Sequence, residues 1–165
     1  MITTYKLFEA KQVGILYHWT EGLNSLRNIL MNDEMESQYV TIYKNTYISF
    51  SRNKNLNFEG RPIKIIFDGN NMSNKFKFEP YLYGIGTNKH GIPLLKKEAE
   101  ERIECDSNRR IKGIKKYIIG IEISLKGDLY YYFTKHNFEF MNTIKEINNM
   151  IPDIKIKVVE YDNYL

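Results

Sequence analysis

Three short stretches hold the residue types that do chemistry: "LYHWT" (Leu16 to Thr20), "ISFSR" (Ile48 to Arg52) and "EAEERI" (Glu98 to Ile103). His18 and Thr20 close an apolar run. A buried imidazole or hydroxyl costs free energy unless its polar atoms are partnered, so the pair calls for either a structural hydrogen bond or a ligand. In "ISFSR", strand alternation puts Ser49 and Ser51 on one face and Ile48 and Phe50 on the other, with Arg52 ending the run. Taken alone, that is also the pattern of an edge strand with a solvated side. "EAEERI" reads two ways. As a helix, Lys96 with Glu100, Lys97 with Glu101 and Glu98 with Arg102 form i,i+4 pairs on a solvated face, and spacing alone favours this reading. As a strand, Ala99, Glu101, Ile103 and Cys105 share one side and Glu100, Arg102 and Glu104 the other, which would aim Glu100 and Arg102 together at a cleft.

Other candidates carry less. The three histidines, at 18, 90 and 136, show no ligand spacing with each other or with Cys105, and no metal site is expected. The lone Cys105 reads as a small buried hydrophobe. "GIG" at Gly84 to Gly86 is too short for a dinucleotide fingerprint. "RRIKGIKK" is basic at five of eight positions, Arg109, Arg110, Lys112, Lys115 and Lys116, and reads either as a solvated loop or as a contact for a polyanion.

These residues need elements to position them. Val13 to Tyr17 reads as a strand, followed by Leu23, Leu26, Ile29 and Leu30 at helical spacing. "YVTIY" and "TYISFSR" form an expected hairpin about Lys44 and Asn45, and Ile63 to Phe67 a further strand closed by Asp68 and Gly69. "KFKFE", Lys75 to Glu79, alternates as a half-buried strand. The three glycines and the proline in Tyr83 to Pro93 make a lid-like loop. "YIIGIEISL" and "IKIKVVEY" are strands, and Phe138, Met141, Ile144, Ile147 and Ile151 recur as a helical stripe. Six or seven strands mixed irregularly with two or three helices imply an α+β fold.

The chain has 165 residues, 42% hydrophobic and 27% charged, without a long apolar run, which suits one globular domain over a membrane or disordered protein. No signal peptide is expected from "MITTYKLFEAKQVG", and a single cysteine fits a reducing cytoplasm. A net charge of +4 and a pI near 9.0 permit attraction to phosphate backbones without requiring it. Abundant Lys, Ile, Asn and Tyr suggest an AT-rich bacterial or viral coding genome.

In sequence order, "LYHWT…LNSLRNIL", "ISFSR" and "AEERI" resemble the His-containing first strand and helix, the serine-bearing middle strand and the glutamate motif of the ADP-ribosyltransferase superfamily. The nearest likeness is to its DarT-like branch, which opens with a similar His-x-Thr, continues through an Asn-Leu helix ending in Ile-Leu, and carries an Ala-Glu pair before an aliphatic residue. Small phage proteins with "SFSR" and "EERI" motifs are similar too. The helix after His18 holds one residue more than that pattern. Glu101 and Arg102 stand where the branch is usually apolar, so motif alignment carries the glutamate onto Glu100, with Glu101 the alternative.

The resemblance implies a single ADP-ribosyltransferase-like domain over 1–165, with split antiparallel or mixed sheets and NAD as cosubstrate. Glu100 would accept a hydrogen bond from a ribose hydroxyl and stabilise developing positive charge. His18 and Thr20 would hold the other ribose or the amide end, Ser49 or Ser51 would brace the nicotinamide ribose, Arg52 would contact the pyrophosphate, and Tyr47 would offer a ring for stacking. The acceptor would be a nucleic acid or a protein, an antitoxin a further partner, and the setting the cytoplasm of a bacterium or phage-infected host. A noncatalytic module engaging nucleic acid or a host protein is the alternative.

Overall fold

A computed structural model describes residues 13–37, 46–55, 61–81 and 100–160. Strand β1 (Ile15–Thr20) runs beyond Tyr17, so His18 and Thr20 lie within the strand and not past its end. Helix α1 (Leu23–Asn32) follows because Leu23, Leu26 and Leu30 recur on one stripe that is buried in full. It stops at Asp33, whose φ of 52° is the left-handed conformation that Asp tolerates better than most residues. Strands β2 (Glu34–Glu36), β3 (Tyr47–Ser51) and β4 (Ile63–Asp68) come next, then the single-turn helix α2 (Gly69–Met72). The remainder is β5 (Phe78–Tyr81), β6 (Glu100–Glu104), β7 (Arg110–Lys112), β8 (Ile118–Leu125), α3 (Gly127–Lys135), α4 (Asn137–Met150) and β9 (Ile156–Glu160).

The fold is α+β. Seven strands form one mixed sheet in the order β5-β6-β3-β1-β4-β8-β9, and β2 pairs with β7 in a second, two-stranded sheet. All pairings are antiparallel except β8 with β9, whose parallel crossover is made by α3 and α4. Alternation decides the faces. Leu16, Ile48, Phe50, Ile63, Ile65, Phe67, Ile103, Ile121 and Ile123 project to one side, where they meet Leu26 and Leu30 of α1 and Phe140 and Ile147 of α4 in a single core. Trp19 is buried but lies outside that core, on the opposite side of the sheet.

Several expectations are corrected. The stretch around Glu100 is a strand, because β6 gains ladder hydrogen bonds from β3 on one edge and β5 on the other and buries Ile103; these gains outweigh i,i+4 pairs worth tenths of a kcal/mol each. Strand β3 is interior, between β1 and β6, and not an edge. Lys75 and Phe76 belong to the turn after α2, so that strand begins only at Phe78. The aromatic run at 127–135 forms α3, a helix the sequence reading did not anticipate, with Leu129 buried and Tyr132 and Phe133 against the core. The expected stripe along α4 holds in its second half, where Ile147 and Ile151 are buried and Ile144 packs against the core, and fails in its first, where Phe138 and Met141 are 75% and 52% exposed and Phe140 faces inward instead. Nine strands and four α-helices therefore occur among the described residues, against six or seven and two or three expected. The "YVTIY" strand and the 83–93 loop lie outside the described residues. No described helix is long and apolar enough to cross a membrane.

Candidate active site

The three motif strands are neighbours, in the order β6-β3-β1. Their register sets up one lateral row. Glu101 pairs with Phe50, and Phe50 in turn lies beside His18, ring centroids 5.7 Å apart; His18 pairs with Ile65 on the other side. Residues directly opposite one another share a face, so His18 and Glu101 flank Phe50 on the core side, about 10 Å apart at two strand spacings.

His18 Nδ1 lies 3.0 Å from the Ser49 carbonyl oxygen. A carbonyl can only accept, so Nδ1 carries the proton and Nε2 keeps a free lone pair in the neutral ring. The ring is neutral at pH 7: burial lowers the His18 pKa to about 4, opposed by the Ser49 hydrogen bond and assisted by the nearby Arg61 cation. Thr20, two residues on, is buried on the same side.

Glu101 is 2% exposed and is met by Arg52, whose Nε lies 3.5 Å from Glu101 Oε1. Burial pushes the Glu101 carboxyl above its usual range, and the Arg52 charge pulls part of the way back. Glu101 Oε1 accepts no hydrogen bond from the described residues, so its capacity for a donor is unspent. Glu100 pairs with Ser51 across the ladder; its side chain lies outside the described residues.

The remaining candidates separate from this row. Tyr47, Ser49 and Ser51 alternate to the opposite face of β3, where Arg102 lies over the Tyr47 ring at 5.9 Å. Ser51 is buried and its Oγ accepts from the Asn53 backbone N–H at 2.9 Å, which ties it to the turn that bears Arg52.

The basic segment is not a free loop. Arg110 and Lys112 lie on β7, directly across from Glu36 and Glu34 of β2. Arg110 donates to Glu34 Oε1 at 2.9 Å and reaches Glu36 Oε2 at 3.7 Å, and Lys112 Nζ is 4.0 Å from Glu34 Oε2. Arg109, with a φ of 61°, precedes β7, and its carbonyl accepts from the Ser37 N–H at 2.9 Å. The Lys115 backbone N–H bonds Asp33 Oδ1, and the Lys116 ammonium lies 5.0 Å over the Tyr117 ring. "EME" and "RIK" carry complementary alternating charges, the signal from which this pairing was readable. Among the described residues no cluster of His, Cys, Asp or Glu could hold a metal ion.

No protein-family model matches this chain, and no curated protein does.

Proposed function

We propose that the protein is an NAD-dependent mono-ADP-ribosyltransferase of the DarT-like kind, with Glu101 as its carboxylate. One observation carries the reading: the buried Glu101–Arg52 pair shares a sheet face with a neutral, tautomerically fixed His18 two strands away. The resemblance of the three motifs supplies the chemistry that such an arrangement would serve.

NAD bound here would offer a glycosidic bond between ribose and nicotinamide that breaks with oxocarbenium character, nicotinamide leaving with the bonding electrons. Glu101 then stabilises positive charge on the ribose and accepts a hydroxyl hydrogen bond on Oε1. The acceptor's proton would pass to water as its new bond to the ribose carbon forms. His18 Nε2 accepts from a second hydroxyl or an amide, and Arg52 gives two-pronged contact to the pyrophosphate. Glu101 is preferred to Glu100 because Glu101 is the residue joined to Arg52 and placed in the His18 row. An acceptor of nucleic acid or protein, an antitoxin partner and a cytoplasmic setting belong to the same proposal.

A second reading has one observation in its favour. Glu101 is almost fully enclosed and ion-paired, as in a structural pair within a noncatalytic module. Isothermal titration with NAD, followed by mass spectrometry of NAD incubated with mixed nucleic-acid and protein acceptors, separates the two. Binding and nicotinamide release support the transferase; an intact fold that does neither supports the module.

A further inference from the structure

Arg52 stands on the first residue of a turn, and a turn by itself does not hold a guanidinium against a carboxylate. Residues 51–55 are fixed locally by two successive side-chain turns: Ser51 Oγ accepts from the Asn53 N–H at 2.9 Å, and Asn53 Oδ1 accepts from the Asn55 N–H at 3.0 Å. The first runs back to the end of β3, and neither ties the far part of the turn to a second strand. That tie is Lys64 of β4, whose Nζ donates to the Lys54 carbonyl at 3.3 Å.

Lys64 is itself braced. Its Nζ lies 2.8 Å from Glu122 Oε1 of β8, the residue directly opposite it in the ladder, and 5.9 Å over the Tyr17 ring of β1. The pair is mostly shielded, with side-chain exposures of 16% and 28%, so it is screened less than a surface ion pair. Lys64 pairs with Trp19 and therefore projects to the face opposite His18 and Glu101. Its three N–H donors suit one ammonium to serving a carboxylate and a carbonyl at once.

We propose that Lys64, held by Glu122, is a positioning residue that clamps the 52–55 turn from one face of the sheet so that Arg52 is delivered to Glu101 on the other. The connection crosses β8, β4 and the turn after β3 and reaches the candidate site without touching it. It rests on the transferase reading only for its functional consequence; the geometry of Arg52 against Glu101 can be read without NAD.

The test is the titration of Glu101, followed by NMR in full-length protein labelled at glutamate carboxyl carbons, in parallel with NAD binding. Lys64→Met moves the Glu101 midpoint upward, because Arg52 no longer pulls it down, and weakens NAD binding roughly tenfold. Lys64→Arg, which keeps a cationic donor for both partners, restores both. On an Arg52→Gln background Lys64→Met produces no further change in either. An unchanged midpoint in Lys64→Met, or the same upward move on the Arg52→Gln background, overturns the proposal. If Lys64→Met does not fold, Glu122→Gln carries the test, since it keeps the ammonium and removes its brace; it too must raise the midpoint. The titration pattern across the variants together with no NAD binding by the wild type overturns the transferase reading alone, and NAD binding by the wild type without the pattern overturns the positioning role alone.

Discussion

The imidazole of His18 and the main chain of Ser49 form a hydrogen bond of 3.0 Å between adjacent strands, Nδ1–H to carbonyl oxygen, and this fixes which nitrogen of the ring faces away as an acceptor. The bond joins two motifs that are 31 residues apart in sequence.

A pH dependence follows. In the unfolded chain His18 takes up a proton as the pH falls past 6.5, and in the folded chain only near 4, so between these values the unfolded state binds more protons. Stability is therefore lost as the pH falls from 6.5 to 4, by up to about 3 kcal/mol from this one group. Glu101 works in the opposite sense, since its raised pKa lets the folded state hold a proton longer. Comparison with His18→Asn isolates the histidine: the amide nitrogen keeps a donor for Ser49, but nothing titrates. Urea unfolding at a series of pH values should show the wild type losing more stability than the variant across that window. Parallel profiles would mean that the ring is hydrated and titrates normally. The same variant lacks the Nε2 acceptor and is expected to bind NAD at least several-fold more weakly.

The Glu101–Arg52 pair predicts a trade of stability for function. Arg52→Met leaves a buried carboxylate without its cation and should cost about 3 kcal/mol, whereas Arg52→Met with Glu101→Leu should recover most of that loss, because buried ion pairs are often no more stable than apolar replacements. Glu101→Gln should keep NAD binding and remove most turnover, since it deletes a charge felt mainly in the transition state. Calorimetry and nicotinamide release measure the two effects. A Glu100→Gln variant that is inactive beside a fully active Glu101→Gln would return the role to the residue that motif alignment chose.

Alternation made much of the sheet legible. Ile63, Ile65 and Phe67 announce a strand with one buried face, and Leu23, Leu26 and Leu30 announce a helix with one buried stripe, because local burial and local period agree. The described part of the glutamate motif, Glu100 to Ile103, misled for the opposite reason. Its charges satisfy a helix locally, and only pairing with β3 and β5, distant in sequence, makes a strand the better state. The choice between two adjacent glutamates turns on which face is buried: once the segment is a strand, alternation puts Glu101 with the apolar Ile103 on the core side, but the helical reading of its charges hid that alternation. Lys64 was equally hidden: it looks like an ordinary polar position in "IKIIF" until the turn after β3 is seen to lie within reach.

Packing at Gly69 gives a prediction independent of function. Its N–H donates to the Gly14 carbonyl at 2.8 Å, and a Cβ there would stand 2.5 Å from that oxygen and 2.7 Å from the Leu16 side chain. The oxygen belongs to the backbone and cannot turn aside. Gly69→Ala is thus expected to destabilise by about 2 kcal/mol or more, and Gly22→Ala, which meets nothing within 4 Å, by less than about 0.5 kcal/mol. Equal melting temperatures for the two variants would show that the β1–α2 junction relaxes freely.

The basic segment divides into residues that build and residues that can bind. Arg110 is engaged by Glu34 and Glu36, so Arg110→Gln should loosen the β2–β7 pair and cost about 0.5 to 1 kcal/mol of stability with little effect on ligands. Lys115 and Lys116 lie beyond that ladder, and the ammonium of Lys75 donates to the Lys112 carbonyl at its end and lies 4.9 Å over the Phe76 ring. Phe76 and Tyr117 meet edge to face at 6.1 Å, so the two ring-bound lysines, Lys75 and Lys116, flank one aromatic pair. If a polyanionic acceptor docks on the segment, it docks here. Replacing Lys75, Lys115 and Lys116 with Gln should weaken binding of single-stranded or duplex nucleic acid and lower the slope of log affinity against log salt by about 2, sparing NAD binding. Fluorescence anisotropy at several salt concentrations measures both. Should Arg110→Gln flatten the slope as much as the lysine replacements do, the acceptor competes with β2 for the ladder; should neither change it, the acceptor is not a polyanion held by this segment.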